Sequence, residues 1–189
     1  MAKLFFRYSA MNAGKSTSLL QIAYNYEEQG QTVRLFTAGI DDRSGQGQIA
    51  SRLGITRQAD IFDDQTDFLA ELGTRPAPAC VLIDESQFLT PAQARQLHQL
   101  AHQHNVPVIC FGLRSDFQGN PFPGAAQLLT LADDLEEIKT ICACGRKATM
   151  NIRLNAQGQR VHTGDQVEIG GNNRYLQVCA RCFYLGTPQ

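Results

Sequence analysis

Four apolar segments of strand length recur in the first 113 residues of the chain, and helical patterns lie between them. The segments are residues 4–8, 32–38, 80–83 and 106–113. After the first of them, residues 19–26 repeat apolar side chains at steps of three and four, a spacing that predicts a helix. Strands that alternate with helices predict a parallel sheet covered by helices on both faces, with ligands at the carboxyl ends of the strands.

The segments between these strands predict two more helices and two irregular stretches. Residues 67–72 predict a short helix, and a longer one begins at Thr90, because threonine is a favoured N-cap and Pro91 suits the first helical position. Residues 40–65 are polar and lack apolar periodicity, so we expect a long loop there. Residues 113–124 are irregular, and their two phenylalanines could wall a site for a flat heterocycle or form a small core of their own.

The first apolar segment leads directly into a glycine-containing turn, and the helical pattern follows it. In a phosphate-binding P-loop, backbone N–H groups and a helix N-terminus hold phosphates, a lysine reaches the outer phosphates and a hydroxyl holds magnesium. Gly14, Lys15 and Ser16 occupy the glycine, lysine and hydroxyl positions. Ser9 replaces the usual first glycine, so choosing a P-loop over an ordinary turn depends on the strand and helix around it. The predicted phosphate site is Ser9, Ala10, Met11, Asn12, Ala13, Gly14, Lys15, Ser16 and Thr17.

The third apolar segment ends in two acidic residues, Asp84 and Glu85. A carboxylate at the carboxyl end of a buried strand is the usual partner of a P-loop, where it binds magnesium directly or through water, and we assign this role to Asp84. Glu85 is then available as a general base if the phosphoryl acceptor is a hydroxyl group, or to activate water if the protein is an ATPase. The alternative is a strand end that is simply polar.

Six cysteines fall into two groups. Cys80 and Cys110 lie in apolar segments and are predicted to be small core residues. The other four form two pairs that bracket 34 residues: Cys142, Cys144, Cys179 and Cys182. Such pairs suit a tetrahedral structural zinc site, which would hold both ends of the intervening loop and let it close over a ligand. Two disulfides are the alternative, which a cytoplasmic location disfavours.

The composition limits the classes of function. The chain is 43% hydrophobic and 19% charged with a net charge of −1, so it lacks a general basic surface and we expect no nucleic-acid partner. No apolar run approaches the roughly 18 residues of a membrane span and no leader precedes the first strand, so we expect a cytoplasmic protein without a membrane partner. We predict an α/β domain over residues 1–138 and a zinc-binding domain over residues 139–189.

Three histidines lie close together in the helix predicted after Thr90 or just beyond it: His98, His102 and His104. No carboxylate or cysteine lies at a spacing in the sequence that would complete a metal site with these histidines. We therefore expect their side chains to be solvated. Sequence spacing alone therefore assigns metal chemistry only to the four paired cysteines and to the magnesium ligands of the P-loop.

Together these motifs resemble the type II thymidine kinases, the cellular thymidine kinase family of bacteria and animals. The resemblance covers nearly the whole chain and rests on Ser-x-Met-x-x-Gly-Lys-Ser at 9–16, Asp-Glu-x-Gln-Phe at 84–88, Phe-Gln at 117–118, the paired cysteines, and Ile-Gly-Gly at 169–171 followed by Arg174 and Tyr175. It implies a P-loop, RecA-like α/β fold with a small zinc-bound β module. It implies ATP-dependent phosphorylation of the 5′-hydroxyl of thymidine or deoxyuridine in nucleotide salvage. It also implies Mg²⁺ with ATP, one structural Zn²⁺ per chain, a homotetramer, and dTTP as a feedback ligand.

The resemblance further implies roles for individual residues. Glu85 would take the proton of the 5′-hydroxyl. Asp41, Arg43, Asp84 and Gln87 would belong to the ATP and magnesium site. The residues implied for the nucleoside are Leu113, Phe117, Phe122, Gln166, Val167, Glu168, Ile169, Gly170 and Tyr175. Those from 166 onward lie in the zinc-anchored loop between the cysteine pairs, called the lasso in this family.

Three other functions stay open at this point. A zinc-ribbon P-loop ATPase acting on nucleic acid would use Glu85 to activate water, but the near-neutral charge disfavours it. A kinase for a nucleoside monophosphate would need an arginine cluster, whereas the implied acceptor side is apolar and amide-like. A regulator that binds nucleotide without turnover is the third. For a thymidine kinase, we expect zinc to support only the acceptor site, because the P-loop is built on the sheet.

Overall fold

The computed structural model describes residues 1–40, 47–73, 76–167 and 174–186. Its strands are β1 (Leu4–Ser9), β2 (Val33–Ala38), β3 (Gln48–Ala50), β4 (Thr56–Gln58), β5 (Asp60–Phe62), β6 (Cys80–Ile83), β7 (Val108–Leu113), β8 (Asp134–Glu137), β9 (Thr140–Ile141), β10 (Lys147–Ala148), β11 (Met150–Leu154), β12 (Arg160–Val161) and β13 (Tyr175–Val178). Its helices are α1 (Lys15–Glu28), α2 (Phe68–Leu72), α3 (Pro91–Gln103), α4 (Pro123–Leu131) and α5 (Ala180–Leu185), with a 3₁₀ turn at Ser86–Phe88.

Six strands form the main sheet in the order β5-β2-β6-β7-β1-β8, and every neighbouring pair is parallel. The adjacent strands β6, β7 and β1 therefore end side by side. The P-loop segment follows β1, Asp84 and Glu85 follow β6, and Leu113 ends β7. The predicted phosphate and acid residues thus meet at one edge of the sheet, which is where parallel α/β sheets bind ligands.

Helices cover both faces of this sheet. Alternate residues of β6 belong to opposite cores: Val81 and Ile83 pack with side chains of α2, α3 and α4, whereas Cys80 and Leu82 pack with side chains of α1. Because such strands are buried on both faces, they appear in the sequence as continuous apolar runs rather than as an alternation. The prediction of a parallel sheet with helices on both faces is confirmed.

The prediction of a long loop over residues 40–65 is wrong. The described part of this segment contains the antiparallel β3–β4 hairpin and the edge strand β5, which pairs with β2. Each of these strands has three residues, too few for a periodic pattern, and single buried side chains such as Ile49 and Phe62 anchor them. The two helix predictions are confirmed, because Asp67 caps α2 and Thr90 forms a capping box on α3.

The carboxyl-terminal part of the chain is built from short antiparallel strands. β11 lies between β12 and β13, β9 pairs with β10, and α5 packs against β11. The small core here consists of Cys142, Ala148, Ile152, Val178, Cys179, Cys182 and Phe183. The domain boundary at residues 138 and 139 stays a prediction. Among the residues that the structure describes, no helix is both long and apolar enough to cross a membrane.

Candidate active site

The P-loop segment connects the end of β1 to the start of α1. Gly14 has a φ of +85°, a left-handed conformation that residues with side chains rarely adopt, and it directly precedes the helix. Lys15 is only 9% exposed, and its Nζ donates to Ser9 Oγ at 3.1 Å and to the Ala10 carbonyl at 3.3 Å. The N-terminus of α1, which is the positive end of a helix dipole, lines the same cavity as Asp84 and Glu85.

Asp84 lies just beyond β6 and is 4% exposed. Its carboxylate accepts hydrogen bonds from the Ser16 hydroxyl at 3.0 Å and from the Glu85 backbone N–H at 3.0 Å. Burial, and then the negative charge of Glu85, raise the pKa of Asp84 from 3.8 to about 7, and the two hydrogen bonds and Lys15 oppose this rise only in part. A nearby cation would favour the charged carboxylate, and Asp84 and Ser16 together offer the oxygen ligands that magnesium prefers.

Glu85 precedes the 3₁₀ turn and has a φ of +51°, a strained conformation for a residue with a side chain. Gln87 Nε2 donates to one Glu85 carboxylate oxygen, and Gln87 Oε1 accepts the Leu113 backbone N–H at 3.0 Å. Gln87, which the family resemblance assigns to the ATP and magnesium site, therefore holds Glu85 to the end of β7. A Cβ at Gly112 would lie 2.6 Å from the Ser86 hydroxyl, so glycine there lets the turn pack against β7.

One cavity of about 870 Å³ joins the P-loop to the carboxyl ends of β6 and β7. The predicted site residues that line it are Met11, Asn12, Ala13, Gly14, Lys15, Ser16, Thr17, Asp84, Glu85, Gln87, Leu113, Phe117, Phe122, Gln166, Val167 and Tyr175. Ser9 and Ala10 contact the Lys15 ammonium instead. The predicted residues outside the described part of the chain are Asp41, Arg43, Glu168, Ile169 and Gly170. The structure brings the described candidates together, and their individual roles stay predictions.

Aromatic side chains form part of the cavity wall beyond β7. Phe117 and Phe122 are 2% and 5% exposed, and the Phe122 ring packs edge-on against Phe88 with centroids 5.9 Å apart. The Arg153 guanidinium carbon lies 3.9 Å from the centroid of the Phe117 ring, a cation–π contact that stabilises the ring's position. These rings are therefore both packed in the protein and available as walls of the cavity.

Asp116 is a site residue that the sequence motifs did not assign. It is 4% exposed and lines the cavity. One of its carboxylate oxygens accepts the backbone N–H groups of Gln118 at 2.9 Å and Asn120 at 2.8 Å, and the other accepts Gln166 Nε2 at 3.0 Å. Turn chemistry could have indicated the two local bonds, because aspartate commonly binds N–H groups that follow it. The bond to Gln166, 50 residues away, has no local signal.

Asn151 connects the carboxyl-terminal sheet to the P-loop. It is buried in β11, and its Oδ1 accepts the Met11 backbone N–H at 2.8 Å. Asn12 in the same loop donates to Gln177 Oε1 of β13 at 2.9 Å. The P-loop is thus in direct contact with the strands beside the four cysteines, which argues against the independence from zinc that the sequence predicts. These partners are 140 and 165 residues apart, so no local pattern indicates them.

The four paired cysteines come together around one point. Their Sγ atoms all lie within 4.8 Å of one another, and those of Cys144 and Cys179 are 3.6 Å apart. Tetrahedral zinc with Zn–S bonds of about 2.3 Å requires sulfurs roughly 3.8 Å apart, whereas a disulfide bond is about 2.05 Å long. All six cysteines of the chain are free thiols. The cluster fits a zinc ion and does not fit two disulfides.

Short elements position these thiols. Cys142 and Cys144 lie in the turn between β9 and β10, where the Gly145 N–H donates to the Cys142 carbonyl at 2.8 Å. Cys179 is the N-cap of α5, and its sulfur accepts the Cys182 N–H at 3.5 Å. A site with four protein thiolates has no open position for water or substrate, so this arrangement suits a structural rather than a catalytic zinc.

Comparison with known proteins gives one consistent family. The family model described as thymidine kinase matches residues 2–183. A thymidine kinase of Chromobacterium violaceum is 65% identical over 97% of this chain and 99% of that protein. Thymidine kinases of Albidiferax ferrireducens and Idiomarina loihiensis are 58% and 56% identical over 98% and 96% of this chain, and over 93% and 95% of their own lengths. These matches confirm the resemblance carried by the motifs, and the chain belongs to the thymidine kinase family.

Proposed function

We propose that this protein transfers the γ-phosphoryl group of ATP to the 5′-hydroxyl of thymidine, and of deoxyuridine, in nucleotide salvage. Family membership supports the reaction class. The observation that carries the proposal is that the P-loop, the two acidic residues after β6 and the buried phenylalanines line a single cavity of about 870 Å³. This volume is near the upper end of ordinary ligand pockets, roughly 300–1,000 Å³, and suits two substrates that react with each other.

The P-loop would bind the triphosphate of ATP. Its backbone N–H groups and the N-terminus of α1 favour anionic oxygens, and the Lys15 ammonium counters charge on the outer phosphates. Ser16 and Asp84, whose side-chain oxygens lie 3.0 Å apart, would hold Mg²⁺. When bound, magnesium neutralises charge on the phosphate oxygens. The chain's own contribution is therefore a fixed set of positive and dipolar groups around the transferring phosphoryl group.

Glu85 would act as the general base. Its carboxylate takes the proton of the 5′-hydroxyl as that oxygen attacks the γ-phosphorus of ATP. The new O–P bond forms while the bond from the γ-phosphorus to the bridging oxygen breaks, and ADP leaves. Gln87 donates to one carboxylate oxygen of Glu85 and so helps to fix the orientation of the base. Because Gln87 also accepts the Leu113 N–H, the base is held at a fixed position relative to the acceptor side of the cavity.

The acceptor side suits an uncharged nucleoside better than a nucleotide. Phe117 and Phe122 offer flat apolar surface, and Gln166 offers an amide that can pair with a heterocycle. Among the described residues that line the cavity, the cationic ones are Lys15 and Arg52. An acceptor with its own phosphate would need further arginine side chains to bind that group. The described wall therefore favours a nucleoside substrate.

We also propose that the four clustered thiolates hold one structural Zn²⁺ per chain. The ion would hold together the two ends of the lasso and take no part in phosphoryl transfer, because a site with four thiolates leaves no position for a substrate. Four neighbouring thiols stay reduced in the cytoplasm, where we infer that the protein works. Elemental analysis of the purified protein measures the zinc directly.

An ADP-release assay over a panel of acceptors tests the proposed function. We expect ADP formation with thymidine and deoxyuridine, and the basal rate with thymidine monophosphate or single-stranded DNA. Mass analysis of the product should show the nucleoside 5′-monophosphate, which separates transfer from hydrolysis. Stimulation by DNA would support a nucleic-acid-dependent ATPase instead, and stimulation only by the monophosphate would support a nucleotide kinase.

The family resemblance also supports a homotetramer and feedback by dTTP. A molecule of dTTP carries the thymine of the acceptor and a triphosphate like that of the donor. Because both sides line one cavity, dTTP could bind with its base among the phenylalanines and its phosphates at the P-loop. Inhibition competitive with both ATP and thymidine is expected from this geometry. Light scattering after gel filtration measures the number of chains in the assembly.

A further inference from the structure

Two histidines and an aspartate meet at the end of the main sheet opposite the active site. His98 and His102 lie one turn apart on α3, and their ring centroids are 4.5 Å apart. Nε2 of His102 lies 3.0 Å and 3.2 Å from the two carboxylate oxygens of Asp133. One ligand atom from each of the three residues lies within 4.8 Å of the other two. The carboxylate that the local sequence lacks is therefore supplied by the fold, from 31 residues away.

Rigid elements fix these side chains in place. The opposite side of α3 is held in the core by Leu97, Leu100 and Ala101, which are fully buried. Asp133 accepts the backbone N–H of Leu4, the first residue of β1, at 2.8 Å. The fold thus places a carboxylate beside two imidazoles, so little rearrangement is needed for all three to bind one ion.

We infer that His98, His102 and Asp133 bind one divalent transition-metal ion, of which Zn²⁺ matches the chemistry best. Imidazole nitrogens with a carboxylate are a common ligand set for zinc, whereas Mg²⁺ and Ca²⁺ take oxygen ligands. Nitrogen and oxygen ligands about 2.0–2.1 Å from a tetrahedral zinc lie roughly 3.3 Å apart. The distances from His102 Nε2 to the Asp133 oxygens, 3.0 Å and 3.2 Å, are close to this separation.

The ion at this site has a structural task, and we call the site the clasp. In zinc hydrolases with histidines four residues apart, a glutamate directly after the first histidine is the general base. Here that residue is Gln99, which cannot take the proton. Asp133 directly precedes β8 and binds the start of β1, so the ion joins the end of α3 to the beginnings of both strands. The P-loop follows the other end of β1, so the clasp is separate from catalysis.

An ion pair between protonated His102 and Asp133 is the simpler interpretation of the same contact. A partly exposed ion pair of this kind contributes little to the stability of the protein. It requires two of the three residues, and it gives no reason for zinc to raise the thermal stability. The two interpretations therefore differ in what His98 does and in how the protein responds to added metal.

Calorimetric titration of the zinc-loaded protein with Zn²⁺ tests the clasp. Elemental analysis first establishes that the thiol site is filled, so that further binding reports the second site. We expect one additional Zn²⁺ per chain and a rise in Tm when Zn²⁺ is added. His98→Ala and Asp133→Asn should each weaken this binding at least about tenfold, since even the loss of outer-shell partners costs roughly 10–100-fold. Asp133→Asn keeps an oxygen for the Leu4 N–H, which preserves the start of β1.

His104→Ala is the matched control, because His104 is an exposed histidine at the end of α3 and lies outside the cluster. It should bind the additional zinc as the wild type does. The clasp would be refuted by the absence of a second equivalent, or by equal affinity in wild type, His98→Ala and Asp133→Asn. The kinase rate should be the same in all four proteins, so these results do not depend on the proposed function.

Discussion

Asp84 and Glu85 are adjacent carboxylates whose surroundings differ sharply. Asp84 is buried, accepts the Ser16 hydroxyl and has a raised pKa. Glu85 is half-buried and is held by Gln87 at the end of β7. Two like groups in different environments commonly divide tasks in this way, one binding a cation and one moving a proton. Three substitutions test this division of roles and the P-loop beside it.

Glu85→Gln should lower kcat by about 10²–10⁴-fold, the usual range for a lost general base, while ATP and thymidine still bind. Glutamine keeps the size of the side chain and an oxygen for the Gln87 amide, but it cannot take the proton. Steady-state kinetics with nucleotide binding by calorimetry measures both effects. Glu28→Gln, at an exposed position of α1, serves as the control. A variant that loses ATP affinity instead would assign Glu85 to the magnesium site.

Asp84→Asn should stabilise the protein above about pH 7 in the absence of magnesium and nucleotide. The folded-state pKa of Asp84 is raised from 3.8 to about 7, so the folded wild type keeps a proton that the unfolded chain has released between these values. Wild-type stability therefore falls as the pH rises through this window, and asparagine does not titrate. When Tm is measured from pH 5 to pH 8, the difference between Asp84→Asn and the wild type should increase with pH. A difference of constant size would mean that Asp84 titrates normally.

Lys15→Ala should reduce kcat at least about a hundredfold, because the transferring phosphoryl group loses several kcal/mol of electrostatic stabilisation. Lys139→Ala removes an exposed lysine of the same charge and should have no effect on the rate. Initial rates of ADP release with thymidine compare the two variants. Near-normal turnover in Lys15→Ala would reject the P-loop assignment.

The residues of the site differ in whether they could be predicted from the sequence. Lys15, Asp84 and the four cysteines were predictable because each belongs to a local motif whose spacing reflects its chemistry. Asp116, Asn151 and Asp133 were not, since their decisive partners lie 50, 140 and 31 residues away. Long-range side-chain contacts leave no period or spacing in the chain. They follow only from the topology that brings the elements together.

At the scale of elements, a strand can be predicted from the sequence when its side chains are buried. The strands β6 and β7 are buried on both faces and appear as continuous apolar runs. The strands β3, β4 and β5 have three residues each, and β8 is an edge strand of mostly charged residues, Asp134–Glu137. A polar edge strand resembles a loop in sequence because one of its sides and often one of its faces meet water. The strands β3, β4 and β5, which the sequence analysis placed in a loop, therefore became visible only in the structure.

Asp116 links two parts of the acceptor side, since it organises the turn after β7 and binds Gln166 in the lasso. Asp116→Ala should raise the thymidine KM about tenfold or more with little change in the ATP KM, because a hydrogen bond to a charged group is worth roughly 1.5–3 kcal/mol. Asp116→Asn should raise the thymidine KM less, because its amide can pair with a reoriented Gln166. Kinetics with each substrate varied in turn separate the two KM values.

A double-mutant cycle isolates the contact between Asp116 and Gln166. If the bond carries the effect, adding Gln166→Ala to Asp116→Ala should raise the thymidine KM little further. Additive losses would show that Asp116 acts only through its own turn. A fall in kcat with both KM values unchanged would remove Asp116 from substrate positioning.

At the scale of the whole molecule, the zinc cluster and the P-loop are connected through β11 and β13. Cys182→Ala should lose one zinc per chain and raise the thymidine KM strongly, because the lasso loses an anchor. It should also raise the ATP KM, by about 2- to 10-fold, since Asn151 and Gln177 bind the P-loop through single hydrogen bonds. Elemental analysis and steady-state kinetics measure these changes.

Cys110→Ala is the matched control for zinc loss, because Cys110 is a buried cysteine of the main sheet outside the cluster. It should keep the full zinc content and both KM values. An unchanged ATP KM in Cys182→Ala would restore the independence of the P-loop that the sequence suggested. If Cys182→Ala lost the binding of ATP and of thymidine equally and completely, the zinc cluster would be shown to support the whole fold.

The position of β1 in the sheet has a consequence for biosynthesis. Its two neighbours are β7 and β8, and β7 begins at Val108, 99 residues after β1 ends at Ser9. At roughly 5–20 residues per second, a ribosome needs about 5–20 s to make this intervening chain. During that time the apolar strand Leu4–Ser9 has emerged without a partner, longer than any other strand of the sheet. We therefore expect nascent chains of this enzyme to bind ribosome-associated chaperones during this interval.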